Sequence, residues 1–225
     1  MSKVSRGKKG EDKVKKALSK IKEYHRLMND ISFIYGKNEM SHQIDHILIH
    51  PHGVFVIETK NYYGKIFINR SGLFVKQYKD VAEIISNPIA QNKSHVRIIK
   101  SLLKNKYDVI SLVVFIKDNA PTELDENIIN YKDLLLFIES YPYDTLLEKK
   151  DIDEIYKALK EQSTNVKKKE HIENIEYLKI AKREKQEEIR YAIETRKCPR
   201  CEHEIAFKDN LGYCTNKACD FKFKL

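Results

Sequence analysis

The sequence predicts an α/β protein in which a mixed β-sheet is flanked by helices, followed by a helical linker and a small metal-binding module. Three observations predict it. Helical apolar spacing occurs at both ends of residues 1–162, and short apolar runs of strand length lie between. All four cysteines fall, as two pairs, within the last 28 residues. We therefore divide the chain into an α/β domain over 1–162, a charged helical linker over 163–197 and a cysteine module over 198–225.

Composition favours an anionic partner. The chain has 225 residues with 42 Lys and Arg against 33 Asp and Glu, a net charge of +9. Nucleic acid is the common partner of such a protein, although lysine-rich surfaces also serve solubility alone. No apolar run approaches the roughly 18 residues of a membrane span, and the amino terminus lacks the apolar segment of a secretory signal. We expect a cytoplasmic protein with no membrane partner.

The first predicted elements are a helix and a strand. Val14, Leu18 and Ile21 recur at helical spacing and predict a helix over residues 10–24. Glu11 then falls in the first turn, where a carboxylate complements the helix dipole without any chemistry. Residues 31–35 predict a strand that ends at a turn over 36–38.

Residues 43–60 predict a β-hairpin, because two apolar runs flank a Pro-His-Gly turn. If the turn centres on Pro and His, His50 pairs with Gly53, and Asp45 falls opposite Glu58. Two carboxylates side by side on an apolar hairpin repel each other and lose hydration, which is tolerable when a cation lies between them. The pattern therefore indicates a divalent-metal site.

The register of this hairpin has an alternative. A bulge at Gly53 would shift the pairing by one residue and place Thr59 opposite Asp45. In either register Glu58 and Lys60 share a face of the strand, since side chains alternate. Taken alone, these residues also allow a structural reading, with Asp45 capping a turn and Glu58 paired to Lys60.

The remaining elements complete a layered fold. Residues 65–69 and 73–77 predict a second hairpin, and Asn87-Pro88 opens a helix on which Gln91 and His95 lie one turn apart. The apolar run over 109–116 predicts a strand buried on both faces, and a loop follows over 118–127. Helices are predicted over 131–140 and 151–161, the second capped by Asp151 with Glu154.

At this point the residues carry a resemblance. Asp45 followed by a turn, an apolar strand and Glu58-Thr59-Lys60 resembles the Asp…Glu-x-Lys core of the restriction-endonuclease-like nucleases. The likeness to the nuclease-related domain family, NERD, is closer still. It is carried by the sequence Gln-Ile-Asp-His-Ile…Gly-Val-Phe-Val-Ile-Glu-Thr-Lys-Asn-Tyr-Tyr-Gly. The likeness runs from about residue 10 to the helix after Asn87.

The resemblance implies a restriction-endonuclease-like sheet core and two further site residues. A glutamate from the first helix reaches the metal in related folds, which implies such a role for Glu11. A glutamine on the helix after the Glu-x-Lys strand helps to hold the site, which implies Gln91, although a solvent-facing residue is an open alternative. We interpret His95 as structural or as a phosphate contact rather than as a general base.

The predicted chemistry is hydrolysis of DNA phosphodiester bonds with Mg²⁺ or Mn²⁺. Asp45, Glu58 and the Thr59 carbonyl offer oxygen ligands to the ion. Lys60 would lie beside the attacking water, with a pKa lowered by burial near the metal. Two alternatives stay open: a DNA-binding or repair-accessory protein without useful turnover, and an enzyme directed to RNA.

The cysteine module predicts a zinc site. Cys198, Cys201, Cys214 and Cys219 form two close pairs, which suit a tetrahedral Zn²⁺ site, with disulfides as the main rival. The pattern resembles the zinc ribbons at the carboxy end of type IA topoisomerases, which implies binding of single-stranded DNA. Aromatic rings among cations suit stacked bases and phosphates, although Phe221 at least is expected in the ribbon core. The candidate contacts are Arg200, Lys208, Tyr213, Lys217 and Lys222.

Residues 170–197 predict a lysine-rich helical arm. Its apolar positions are too irregular for a coiled coil. Three roles stay open: packing on the first domain, pairing with a second copy to give a homodimer, or a simple spacer.

Overall fold

The computed structural model describes residues 3–36, 40–121, 127–164 and 168–224. The chain forms two compact units, Met1–Val166 and Lys167–Leu225. The helices of the first unit are α1 (Lys3–Leu18), α2 (Pro88–Leu102), α3 (Leu134–Ser140) and α4 (Lys149–Gln162). Its strands are β1 (Arg26–Tyr35), β2 (Met40–His50), β3 (Gly53–Lys60), β4 (Lys65–Ile68), β5 (Phe74–Tyr78), β6 (Val81–Ile84), β7 (Val109–Phe115) and β8 (Ile128–Asn130). The second unit has α5 (Lys168–Thr195), β9 (Ile205–Lys208), β10 (Leu211–Cys214) and β11 (Lys222–Lys224).

A mixed five-stranded sheet in the order β1-β2-β3-β7-β8 forms the centre of the first unit. β1, β2 and β3 are antiparallel neighbours, whereas β7 runs parallel to β3 and to β8. Side chains of α2 and α4 pack on one face of the sheet, and side chains of α1 and α3 pack on the other. The predicted fold class, a mixed sheet flanked by helices, is confirmed.

The β2–β3 hairpin adopts the first of the two predicted registers. His50 pairs with Gly53, and the ladder continues without a bulge to His46 and Ile57. Gly53 has a φ of +131°, and a Cβ there would lie 2.6 Å from Cδ1 of Ile110. Glycine is therefore required both by the backbone conformation and by the approach of β7. The next residues beyond this ladder are Asp45 and Glu58.

The first helix differs from its prediction. α1 covers residue 3 onward and ends at Leu18, so Glu11 lies in its middle and not in its first turn. The predicted dipole role for Glu11 is wrong. Gly10 is not a helix boundary, because a side chain there would contact Asn61, Thr59 and Ile116 at 3.0 to 3.3 Å. The glycine serves close packing of α1 against the ends of β3 and β7.

The predicted strands were incomplete. The second hairpin, β4–β5, forms as predicted but gains a third strand, β6, and β8 was not predicted.

The predicted helix boundaries were partly wrong. Asn87 caps α2 as expected, by accepting from the N–H groups of Ile89 and Ala90. α4 begins earlier than predicted, with Glu148 as its cap residue and Asp151 accepting from the Glu148 N–H at 3.0 Å. The first turn of the predicted helix over 131–140 is a 3₁₀ turn. Parts of the predicted turn over 36–38 and loop over 118–127 lie outside the described residues.

In the second unit, three short strands pack on the end of a long helix. The strand order is β11-β10-β9, antiparallel throughout. Ala192 near the end of α5 is fully buried and shares a small core with Ile205, Phe221 and Phe223. None of the described helices combines the length and apolar character needed to cross a membrane.

Candidate active site and cysteine cluster

Asp45 lies at the point where the β2–β3 ladder stops. Its Oδ2 atom accepts a hydrogen bond from the backbone N–H of Thr59 at 2.8 Å. The carboxylate thus satisfies a strand N–H that the backbone of β2 no longer reaches. This contact holds Asp45 against the same stretch of β3 that carries Glu58 and Lys60.

Glu58 is the centre of a buried polar cluster on the α2 side of the sheet. It is only 4% exposed. The Nζ atom of Lys60 lies 2.6 Å from its Oε1 and 3.1 Å from Oε1 of Gln91. The Nδ1 atom of His95 lies 3.7 Å from Oε2 of Glu58. Three of the residues predicted from the sequence, Glu58, Lys60 and Gln91, are therefore in direct contact, and His95 borders them.

The two carboxyl groups of this cluster have raised pKa values. Burial raises the pKa of Asp45 well above its usual range, and the charges of Glu58 and Glu11 add to the effect, against the Thr59 hydrogen bond. Burial likewise raises the pKa of Glu58, although the Lys60 ammonium opposes it. Negative charge thus exceeds positive charge at a site withdrawn from water, which is the condition that a bound cation relieves.

The pKa of Lys60 is set by two opposed effects. Burial lowers it, but the charge of Glu58, with smaller effects of Tyr62 and Asp45, outweighs burial, and the net pKa is raised. That a metal ion beside Lys60 lowers this pKa stays a prediction. At neutral pH this side chain is an ammonium group, suited to hold a water or a phosphate oxygen rather than to remove a proton.

Glu11 acts on the site through its charge. It contributes to the raised pKa values of both Asp45 and Glu58, from its place in the middle of α1. With Asp45 and Glu58 the residue makes the site strongly acidic. The donor set of two carboxylates on neighbouring strands, with the carbonyl of Thr59 directly after Glu58, fits a hard divalent cation such as Mg²⁺ or Mn²⁺.

The sequence reasoning missed Asn92, which anchors α2 to the sheet. Its fully buried Nδ2 donates to the backbone carbonyl of Val56 at 2.8 Å and to the Ser111 hydroxyl at 2.9 Å. A third, longer contact reaches the Leu112 carbonyl at 3.2 Å. Its neighbour Gln91 is thereby held over β3. A detectable signal existed, because Asn92 occupies a position seven residues before Ile99 on the buried stripe of the helix.

The four cysteines of the second unit form one cluster. The Sγ atoms of Cys198 and Cys219 are 3.7 Å apart, those of Cys201 and Cys214 are 3.4 Å apart, and all four lie within 4.8 Å of one another. All four are free thiols, and the disulfide alternative does not describe this geometry. Tetrahedral Zn–S bonds of about 2.3 Å place sulfurs about 3.8 Å apart, so the cluster is compatible with a zinc ion.

Backbone N–H groups support the thiolates of this cluster. A hydrogen bond from His203 lowers the pKa of Cys201 to about 6. Burial instead raises the pKa of Cys214 to about 12, against the N–H of Asn216. A bound cation would compensate the thiolate that burial disfavours. Among the described residues this is the only group of three or more Cys, His, Asp or Glu with ligand atoms so close together.

Two comparisons place the chain among known proteins. The profile of NERD, the nuclease-related domain, matches residues 6–116. An uncharacterised protein of Bacillus anthracis is 34% identical in an alignment of 167 positions that covers 68% of this chain and 75% of that protein. The chain belongs to the nuclease-related domain family. No solved structure gives a significant match.

The NERD match contains the whole acidic cluster. Glu11, Asp45, Glu58, Lys60 and Gln91 all fall within residues 6–116. The four cysteines lie beyond it, so the family assignment says nothing about the metal of the second unit. The nuclease-related domain thus lies in the first unit, and the cysteine cluster stands on its own geometry.

One face of the small second sheet carries exposed cations around a tyrosine. Tyr213 is 36% exposed and pairs with Lys222 on β11, while Lys208 and Lys224 both pair with Leu211. Lys217 is in the loop between the last two cysteines and is exposed.

The remaining predicted contacts of this module are engaged within it. Arg200 pairs with Asp220 at 3.0 Å and with Glu188 at 3.5 Å, and it lies over the Phe221 ring. Phe221 is buried as expected, and Phe223 is buried beside it. These contacts build the core and its rim, so the face around Tyr213 is the part of the module open to a ligand.

Proposed function

We propose that the chain is a metal-dependent nuclease that hydrolyses phosphodiester bonds in DNA. The observation that carries this proposal is the buried cluster in which Asp45 and Glu58 adjoin on neighbouring strands while Lys60 contacts Glu58 at 2.6 Å. Membership of the nuclease-related family supports it. An isolated ion pair would need no second buried acid, and the excess negative charge is costly without a cation.

Asp45 and Glu58, with the Thr59 carbonyl, are the residues that would hold Mg²⁺ or Mn²⁺. Such an ion neutralises charge on the phosphate and lowers the pKa of bound water. Glu11 adds negative charge behind these ligands. Gln91 accepts a hydrogen bond from Lys60 and also hydrogen-bonds Glu58, so it fixes the position of the ammonium relative to the carboxylate. Lys60 donates to the phosphate or to the attacking water.

The second unit is proposed to hold Zn²⁺ on its four cysteines and to bind single-stranded DNA on the face around Tyr213. Bases stack on an exposed aromatic ring, and lysines contact phosphates. Lys208, Lys217 and Lys222 supply the cations. We expect the protein to act in the cytoplasm. Two copies are proposed to pair through α5, and light scattering measures whether the protein is a dimer.

A DNA-binding accessory protein without turnover is the second candidate. The Lys60–Glu58 contact favours it, because an ammonium on Oε1 competes with a metal for that atom. A purified sample distinguishes the two. Linear duplex, circular duplex, single-stranded DNA and RNA are incubated with Mg²⁺ or Mn²⁺, and wild type is compared with Asp45→Asn to exclude a contaminating nuclease.

Cleavage of DNA by wild type and not by Asp45→Asn supports the nuclease. Binding of DNA without nicking under either ion supports the accessory protein. Preferential cleavage of RNA supports the third reading, an RNA-directed nuclease.

A further inference from the structure

A half-exposed tyrosine shortly after β3 has two cations close to its ring. Tyr63 is 45% exposed and follows the end of β3 by three residues. The guanidinium carbon of Arg6 lies 5.9 Å from the centre of its ring, and the Nζ atom of Lys117 lies 4.5 Å from it. The three residues come from α1, from the link after β3 and from the segment just after β7.

Hydrogen bonds to backbone carbonyls hold these three segments together. The Asn61 side chain donates to the carbonyl of Arg6 at 2.8 Å, and the N–H of Ile116 donates to the carbonyl of Lys60 at 3.0 Å. Gly10 allows α1 to approach both strand ends. The two cations therefore meet on one ring because of the fold and not through sequence proximity.

The positive charge of this cluster is not balanced by the described acids. Neither Arg6 nor Lys117 forms an ion pair with a carboxylate in the described part of the chain, and Asp118 is engaged with Lys132 at 2.8 Å. Two like charges on one ring repel, and a ring face at an exposed site returns only about 0.5–1 kcal/mol per cation. Such an arrangement is completed by an anion.

We propose that Arg6, Tyr63 and Lys117 form a phosphate-binding site for the nucleic-acid backbone, beside the cleavage centre. The location of this site relative to cleavage rests on the proposed nuclease function. Arg6 precedes Glu11 by five residues, or roughly 7.5 Å along the helix axis.

The chemistry of each residue fits a backbone phosphate. A guanidinium group binds two phosphate oxygens at once, and an ammonium adds a compact charge beside it. The Tyr63 ring holds both cations at one place without neutralising them. The site reads no base, so its contribution is the same for every sequence.

The test measures binding separately from cleavage. Fluorescence anisotropy without added Mg²⁺ or Mn²⁺, and without a chelator so that the cysteine module stays intact, gives Kd for a labelled single strand and a labelled duplex between 50 and 200 mM salt. The variant Arg6→Ala/Lys117→Ala is compared with a control that loses two exposed helix lysines elsewhere, Lys16→Ala/Lys157→Ala. We expect the first variant to bind about tenfold more weakly at 100 mM salt, with a slope of log Kd against log salt reduced by about one or more.

Tyr63 is tested through its ring. Tyr63→Phe keeps the ring face and should bind within about twofold of wild type, whereas Tyr63→Leu should reproduce part of the loss, since it releases both cations. Equal Kd and equal salt slope for the Arg6→Ala/Lys117→Ala variant and the control would overturn the proposal. Circular dichroism of each variant verifies folding.

The outcome is independent of turnover. If wild type cuts no DNA, the proposed nuclease fails while the binding data still decide the phosphate site. If wild type cuts DNA, we expect the double variant to raise KM about tenfold with kcat at saturation within about twofold. A loss in kcat with unchanged KM would contradict a binding role.

Discussion

The ammonium group of Lys60 lies 2.6 Å from Oε1 of Glu58, two residues earlier on the same strand. Both side chains are nearly buried, so each supplies most of the other's compensating charge. The contact has two consequences. It keeps Lys60 protonated, and it places an ammonium where a divalent ion would also bind.

Replacement of Lys60 separates these two consequences. We expect Lys60→Met to reduce DNA cleavage by 100-fold or more, because the positioned cation at the phosphate or water is lost. The same variant should bind Mn²⁺ more tightly than wild type, since the competing ammonium is gone. Calorimetric titration with Mn²⁺ and a cleavage assay measure the two effects.

Lys65→Met is the control for that experiment, because it removes an exposed lysine from β4, the next strand along the chain. It should change neither quantity. Full cleavage by Lys60→Met would remove the lysine from the mechanism, and weaker Mn²⁺ binding would show that the ammonium does not compete for Glu58.

Asn92 should contribute to stability and to site geometry together. Asn92→Ala removes the bonds to Val56, Ser111 and Leu112 in a fully buried place, and we expect a loss of about 2 kcal/mol in the free energy of unfolding. Urea unfolding measures it, with exposed Arg97→Ala on the same helix as the control. A loss no larger than that of the control would show that α2 is held by its apolar face alone.

The histidine next to the site residue Asp45 predicts a pH dependence of folding. Burial, with the charge of Lys15, lowers the pKa of His46 to about 4. Its Nδ1 donates to Oδ1 of Asn29 at 2.7 Å, which leaves the buried Nε2 unprotonated and without a partner in the described structure. A proton added to Nε2 would have no acceptor.

The direction in which stability changes with pH follows from the His46 pKa values of the folded and unfolded chains. The unfolded chain, with an ordinary His pKa of about 6.5, binds more protons between pH 6.5 and 4 than the folded chain. The contribution of His46 to the free energy of unfolding is therefore fully present above pH 6.5. It is lost progressively as the pH falls toward 4, by roughly 3 kcal/mol in all. His46→Gln should flatten the fall in urea unfolding free energy measured from pH 7 to 4.5. An unchanged slope in that variant would show that other groups cause it.

The cysteine module should depend on its metal and on one glycine. We expect one Zn²⁺ per chain by elemental analysis, and removal by a chelator should unfold the second unit, whose apolar core is small. Gly212 packs under the Phe223 ring, and a Cβ there would lie 2.7 Å from two ring carbons. Gly212→Ala should therefore weaken zinc affinity about tenfold or more in a chelator competition.

Gly7→Ala is the matched control, since its Cβ would meet nothing closer than 3.6 Å. It should leave zinc affinity unchanged. A chain that contains no zinc as purified, and binds none when it is supplied, would contradict the zinc assignment.

Local pattern was sufficient for the hairpin and for the cysteine cluster. The register of β2 and β3 depends on a two-residue turn, so counting from His50 and Gly53 correctly gave the ladder as far as His46 and Ile57, after which Asp45 and Glu58 are the next residues. The cysteine spacing likewise brings four sulfurs together through short loops. In both cases the partners are near in sequence, and backbone geometry leaves few alternatives.

Local pattern did not predict features that depend on contacts between residues far apart in the sequence. Gly10 suggested a helix start, but the glycine exists because α1 passes close to Asn61 and Ile116. Burial lowers the pKa of Lys60, but the adjacent Glu58 carboxylate outweighs burial within the protein itself.

The sequence by itself determined the sheet hairpin, the acid pair, the lysine beside it and the four thiols. Tertiary structure alone decided that Glu11 adds its charge to the acids, that Asn92 anchors α2, and that Arg6 and Lys117 meet on Tyr63. The physical reason is distance along the chain. A strand and a turn set neighbours by fixed repeats, whereas the charge and packing around a residue depend on elements that only the folded core brings together.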